Sequence, residues 1–302
     1  MNYPKHVQIV EVGPRDGLQN EKQEIPASVK IELINKLSAA GFHNVESGSF
    51  VSPKWVPQMA TSADVFAGIA RKPGVIYSAL TPNMKGFEGA LAAGAHEVVI
   101  FGAASEAFSQ KNINCSIAES IERFRPVAAA AKANNIRVRA AISCAYGCPY
   151  QGEVSIASVI DCLERFAEMG CEDIGIADTI GVGTPALVYE TLSAAAKAFP
   201  VEKISGHYHD TYGMACANVL ASLEVGVATF DTSVAGLGGC PYAKGATGNV
   251  ATEDVLYMLH GMGITTGIDL DAVCEAGQFI SQALGRAPHS RVNRALAAKR
   301  AG

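Results

Sequence analysis

Eight short apolar runs, separated by longer segments of helical period, restrict this 302-residue chain to a few parallel-sheet architectures. The runs fall at 7–12, 44–47, 75–80, 97–101, 137–143, 173–177, 204–209 and 229–234. Between them, segments such as 27–40, 116–134, 154–169, 185–199 and 214–225 place apolar residues on one helical face. Parallel strands need crossovers of about a dozen residues or more, and helices of this length supply them. Punctuation agrees with the pattern. Pro26 precedes the first helical segment, Thr184-Pro185 offers a cap followed by proline, and Gly41, Gly94, Gly170 and Gly226 each stand where a helix should stop. Eight strands, each followed by a helix, predict an α/β fold of the (β/α)₈ barrel type. An open doubly wound sheet is the other candidate, but no GxGxxG follows the first run. Residues from about 268 onward read as one or two additional C-terminal helices packed on the same domain, and no linker divides residues 1–302.

Composition narrows the class of function. Hydrophobic residues make up 49% of the chain, enough for a substantial core. A net charge of −5 argues against a nucleic-acid partner, while leaving room for a small polyanion held by local cations. No stretch approaches the roughly 20 apolar residues of a membrane span. The start, Met1 to His6, lacks the apolar run of a secretory signal, and the eight cysteines form no paired CxxC pattern. A reduced, cytoplasmic protein is expected.

Chemistry in such a barrel gathers where strands end and loops begin. The first strand runs into Glu11-Val-Gly-Pro-Arg-Asp-Gly-Leu-Gln-Asn-Glu21, which sets Arg15 beside Asp16 among glycines. A ligand-facing cation and carboxylate, or a surface ion pair on a turn, both fit this stretch. The seventh strand ends in Gly206-His-Tyr-His-Asp210, and residues two apart on a strand share a side. His207 and His209 thus present two imidazoles to one point, a metal-ligand arrangement. After the eighth strand, Gly236-Leu-Gly-Gly-Cys-Pro-Tyr-Ala-Lys-Gly-Ala-Thr-Gly-Asn249 reads as a lid with a thiol, Cys240, at its centre. Asn249, at the return of that loop, suits either a metal ligand or a helix cap. Taken together, Asp16, His207, His209 and Asn249 form a candidate ligand set with oxygen and imidazole donors. Such a set suits six-coordinate Mg²⁺ or Mn²⁺ with positions left open, and suits Zn²⁺ less well.

These motifs, with Val45-Glu-Ser-Gly-Ser-Phe-Val-Ser-Pro-Lys-Trp-Val-Pro-Gln-Met59, the stretch 207–218 and the Ala-Thr-Glu-Asp after Val250, resemble the hydroxymethylglutaryl-CoA lyase family over essentially the whole chain. The resemblance implies cleavage of 3-hydroxy-3-methylglutaryl-CoA to acetoacetate and acetyl-CoA, with a divalent metal and no organic cofactor. It places Asp16, His207, His209 and Asn249 on metal positions, and gives Arg15 the thioester oxygen as it becomes an enolate oxygen. Cys240 matches the family's catalytic cysteine, and Asp16 or His207 relays the hydroxyl proton. Glu46 is expected to orient Arg15 or metal-bound water, Glu253 to support the loop, and Gln19, Asp178 and Thr179 to meet the substrate or its surroundings. Lys22, Lys54 and Arg286 are candidate cations for the CoA phosphates. Gly285-Arg286 departs from the family's pattern in its CoA-contacting C-terminal segment. A homodimer follows from the family alone.

Arg-Asp-Gly and His-x-His are shared with a wider group of metal-dependent synthases and aldolases. Condensing synthases of that group usually carry a further C-terminal domain and lack the cysteine loop. A non-catalytic acyl-CoA-binding barrel has no need of a thiol on a lid.

Overall fold

The computed structural model describes residues 3–239 and 248–301, and within them the eight runs close on one another as a barrel. Its strands are β1 (Gln8–Glu11), β2 (Asn44–Ser49), β3 (Ile76–Leu80), β4 (Glu97–Ala103), β5 (Arg137–Ser143), β6 (Asp173–Asp178), β7 (Ile204–Tyr208) and β8 (Thr229–Thr232). Each pairs in parallel with the next, and β8 returns to β1 through Gln8↔Thr229 to Glu11↔Thr232. The fold is therefore the (β/α)₈ barrel.

Around it lie α1 (Ala27–Ala39), α2 (Ser62–Gly68), α3 (Met84–Ala92), α4 (Glu106–Ile113), α5 (Ile117–Ala133), α6 (Ile156–Glu168), α7 (Pro185–Ala198) and α8 (Ala215–Val225). Then follow α9 (Thr252–Gly261), α10 (Leu270–Ala283) and α11 (Arg291–Ala301), the last two being the C-terminal additions. Gly41, Gly94, Gly170 and Gly226 all adopt positive φ, from +70° to +104°, where a side chain would strain the turn that stops the helix. Leu33, Leu37, Phe166, Leu192 and Val219 on the inner helix faces are fully buried against the outer face of the sheet.

Inside the barrel the packing is polar as well as aliphatic. Arg139 on β5 reaches across to Asp173 (2.5 Å), Ser205 (2.9 Å) and Asp231 (2.6 Å). A guanidinium at 5% exposure survives burial only because carboxylates and a hydroxyl take up its N–H groups.

The last two strands end earlier than the sequence suggests. β7 stops at Tyr208 and β8 at Thr232, because the returning segment around Val250 inserts between their ends. Val250 N–H donates to Tyr208 O (2.9 Å), while Val250 O accepts from Ser233 N–H (3.0 Å). His209 consequently pairs with Asn249 in an isolated antiparallel bridge. Asn249 is thus no helix cap, since α9 opens at Thr252 after Ala251. It belongs to the barrel rim.

Candidate metal centre

The chain leaves β1 through a single wide turn, Gly13–Gly17, closed by Gly17 N–H on Val12 O at 3.1 Å. Such π-turns recur at functional sites because they bulge side chains out of regular register. Two glycines make this one possible. A Cβ on Gly13 would lie 2.6 Å from Glu11 Oε1, and one on Gly17 would lie 2.7 Å from Ser233 Oγ. The turn carries Arg15 and Asp16 to the mouth of the barrel.

There Arg15, 8% exposed, donates from Nη1 to Asp16 Oδ1 at 2.8 Å and from Nη2 to Glu46 Oε2 at 2.7 Å. Asp16 Oδ2 accepts from Asn249 Nδ2 at 2.8 Å, and Gln19 Nε2 stands 3.5 Å from Oδ1. His207 and His209 lean over the same point with ring centroids 5.4 Å apart. One ligand atom each from Asp16, His207 and His209 lies within 4.8 Å of the others. His207 donates from Nδ1 to Asp231 Oδ2 at 3.0 Å, which leaves Nε2 as its lone-pair nitrogen. The remaining donors have nothing to bond among the described residues: His209 Nδ1 and Asn249 Oδ1 are both buried without a hydrogen-bond partner there. A carboxylate, two imidazoles and an idle amide oxygen fit a divalent metal ion.

Electrostatics at the centre follow from what each group faces. Burial alone would raise the Asp16 carboxyl, but Arg15, His207 and His209 hold it down at about 2. Burial, reinforced by His207, lowers His209 to about 4, so its ring is neutral at neutral pH. Burial works against the charged form of His207 too, yet Asp231 outweighs it and shifts that ring upward. Glu46 moves up, because burial exceeds the pull of Arg15.

Other expected residues sit elsewhere on the rim. Asp178, 1% exposed, spends its carboxylate on the Val182 (3.0 Å) and Gly183 (2.8 Å) N–H groups, and burial lifts it to about 6. Thr179 Oγ1 accepts from Cys144 N–H at 2.8 Å, steadying a residue with φ of +57°. Glu253 lies fully buried below the start of the glycine-rich loop, with both oxygens 3.0 Å from Ala235 N–H. Lys22 and Lys54 are exposed, whereas Arg286 pairs with Glu21 at 2.5 and 3.0 Å. Cys240 lies outside the described residues. A cleft of about 680 Å³ opens beside Asn249 and runs to His289, Arg291 and Arg294.

Sequence reasoning passed over Asp231 and Arg139, which support His207 from inside the barrel. Strand parity could have marked Asp231, which sits on the opposite face of β8 from its aromatic neighbour Phe230. Glu11 was read only as part of a motif, although it binds the Gly13 and Val234 N–H groups and the Thr252 hydroxyl.

Three comparisons place this geometry among known proteins. The HMGL-like family matches residues 6–280. A Pseudomonas aeruginosa protein named 3-hydroxy-3-isohexenylglutaryl-CoA/hydroxy-methylglutaryl-CoA lyase is 59% identical over 99% of this chain and all of its own length. The mitochondrial hydroxymethylglutaryl-CoA lyase of Rattus norvegicus is 59% identical over 97% of this chain and 90% of its own. A crystal structure of hydroxymethylglutaryl-CoA lyase from Pseudomonas aeruginosa superposes with a TM-score of 0.97 at 59% identity, covering 99% of this chain and 100% of that one.

Proposed function

The chain belongs to the HMGL-like family, and on that premise we propose that it cleaves 3-hydroxy-3-methylglutaryl-CoA to acetoacetate and acetyl-CoA, as a carbon–carbon lyase. The observation that carries the reading is the convergence of Asp16, His207 and His209 beside the buried guanidinium of Arg15 at the barrel mouth. Cleavage must take a proton from a tertiary hydroxyl, and the departing acetyl-CoA leaves as an enolate.

Asp16, His207, His209 and Asn249 would hold Mg²⁺ or Mn²⁺, and the ion, when bound, acidifies the hydroxyl and orients the substrate's hydroxyl and carboxylate. Asp16, held near pKa 2, keeps its charge through the neutral range. Asp16 or His207 is the proposed relay for the hydroxyl proton, and Asp231 fixes the His207 ring through Nδ1. Arg15 is held by Asp16 and Glu46 and offers a preorganised cation to the thioester oxygen as negative charge develops there. Cys240 is the proposed donor that returns a proton to the acetyl-CoA carbon. The family resemblance extends the reading to a homodimer and, with a bacterial relative at 59% identity, to the cytoplasm. No helix among the described residues is long and apolar enough to cross a membrane.

The test is an assay of the purified protein, stripped with chelator, on hydroxymethylglutaryl-CoA with Mg²⁺ or Mn²⁺ restored. Acetoacetate formed only after metal addition is expected. Turnover of a 2-oxo acid with acetyl-CoA, and none of hydroxymethylglutaryl-CoA, would replace the lyase by a condensing enzyme.

A further inference from the structure

We propose that the C-terminal helix α11 positions the metal-binding amide of Asn249, acting through Asn293. The inference rests on the metal-dependent reading above. Asn293 is fully buried, although α11 is a polar helix, RVNRALAAKRA. Burying an amide is costly unless its N–H groups are used. Here Nδ2 donates to Glu253 Oε1 at 2.8 Å and to Cys274 O at 3.0 Å.

Glu253 passes this constraint on. Its carboxylate, fully buried, takes the N–H of Ala235 on both oxygens. Ala235 is a non-glycine residue at φ +60°, a conformation that persists only when its surroundings over-determine it. They do so from both sides. Its carbonyl accepts from His289 N–H (2.9 Å) and Ser290 N–H (3.3 Å), the two residues that lead into α11. Two residues beyond Ala235, the carbonyl of Leu237 accepts from Asn249 Nδ2 at 3.3 Å, the same nitrogen that bonds Asp16. With its nitrogen so occupied, the Asn249 amide has only Oδ1 free. The path Asn293–Glu253–Ala235–Leu237–Asn249 therefore fixes which atom of the amide is available. Gly277 on α10 shows how tight the packing is. A Cβ there would lie 2.5 Å from both Asn293 Nδ2 and Glu253 Oε1.

The experiment uses the full chain and two readouts. Mn²⁺ affinity is measured by electron paramagnetic resonance without substrate, and kcat and KM are measured separately. Partners of metal ligands typically contribute about 10–100-fold in metal affinity or activity. Asn293→Ala is expected to weaken Mn²⁺ binding about 10-fold and lower kcat about 10-fold, with KM within about 2-fold of the parent. Gly277→Ala, which forces Asn293 and Glu253 apart while keeping both, should show the same split. Val292→Ala, on the same helix, should lose stability yet keep parental Mn²⁺ affinity and kcat. If Asn293→Ala and Gly277→Ala lower only the melting temperature, leaving Mn²⁺ affinity and kcat at parental values, α11 is a structural anchor and the inference fails. If the parent binds no Mn²⁺, the metal-dependent reading falls first.

Discussion

Four of the buried carboxylates near the barrel mouth fall into two neighbourhoods with opposite chemistry. Asp16 and Asp231, at the metal centre, are held below the usual carboxylate range by guanidinium and imidazole neighbours, against the upward push of burial. Glu11 and Glu253, at the root of the glycine-rich loop, are just as buried but face N–H groups, hydroxyl or amide, with no cation against them among the described residues. Burial raises these two to about 8 and about 7. Equal burial therefore keeps charge in one place and favours the protonated form in the other. The balance of burial against cations decides which: Glu46, 2.7 Å from Arg15, is still raised because burial outweighs that pull.

The contrast breaks most sharply if its cation is removed. Arg15→Gln should lower kcat by about 10²–10³, the usual loss when one oxyanion donor is deleted, with Mn²⁺ binding measured alongside to separate the two effects. Parental turnover would end the proposed role of Arg15. A smaller break comes from Asp231→Asn. The amide keeps the shape but can donate to His207 Nδ1, moving the ring proton to Nε2 and reversing the lone pair, so metal affinity should fall about 10–100-fold by calorimetric titration. Unchanged affinity would show that Asp231 does not set that tautomer.

The mildest change sharpens the comparison instead. The folded-state pKa of Glu11, about 8, lies above its unfolded value, so the folded chain keeps a proton that the unfolded chain has already released. The stability this gives is complete below about pH 4.5 and disappears as pH rises towards 8. Melting temperature should fall across that window, and Glu11→Gln should flatten the slope while leaving it unchanged below the window. A mutant slope as steep as the parent's would locate the pH dependence elsewhere.

Much of this was legible from residue order alone, where chemistry follows a local period. His207 and His209 share a side because strands repeat every second residue, and Arg15 and Asp16 announce themselves as neighbours among glycines. Helix ends were legible at Gly226 and Gly41 because positive φ selects glycine. The support beneath was hidden, because it joins residues far apart in the chain. Asp231 meets Arg139 across 92 positions, and Asn293 meets Glu253 across 40. No local pattern marks an asparagine on a polar helix as buried. The insertion of residue 250 between β7 and β8 was hidden for the same reason, and it removes the helix-cap alternative for Asn249.

The wide turn after β1 has a lasting consequence. Because Arg15 and Asp16 are consecutive residues on one bulge, the group proposed to accept departing charge and the group proposed to grip the ion travel as a couple. Any shift of the backbone there retunes both at once. Substitutions at Glu46 or Asn249, each of which touches only one member of the couple by hydrogen bond, offer a way to tune one function separately.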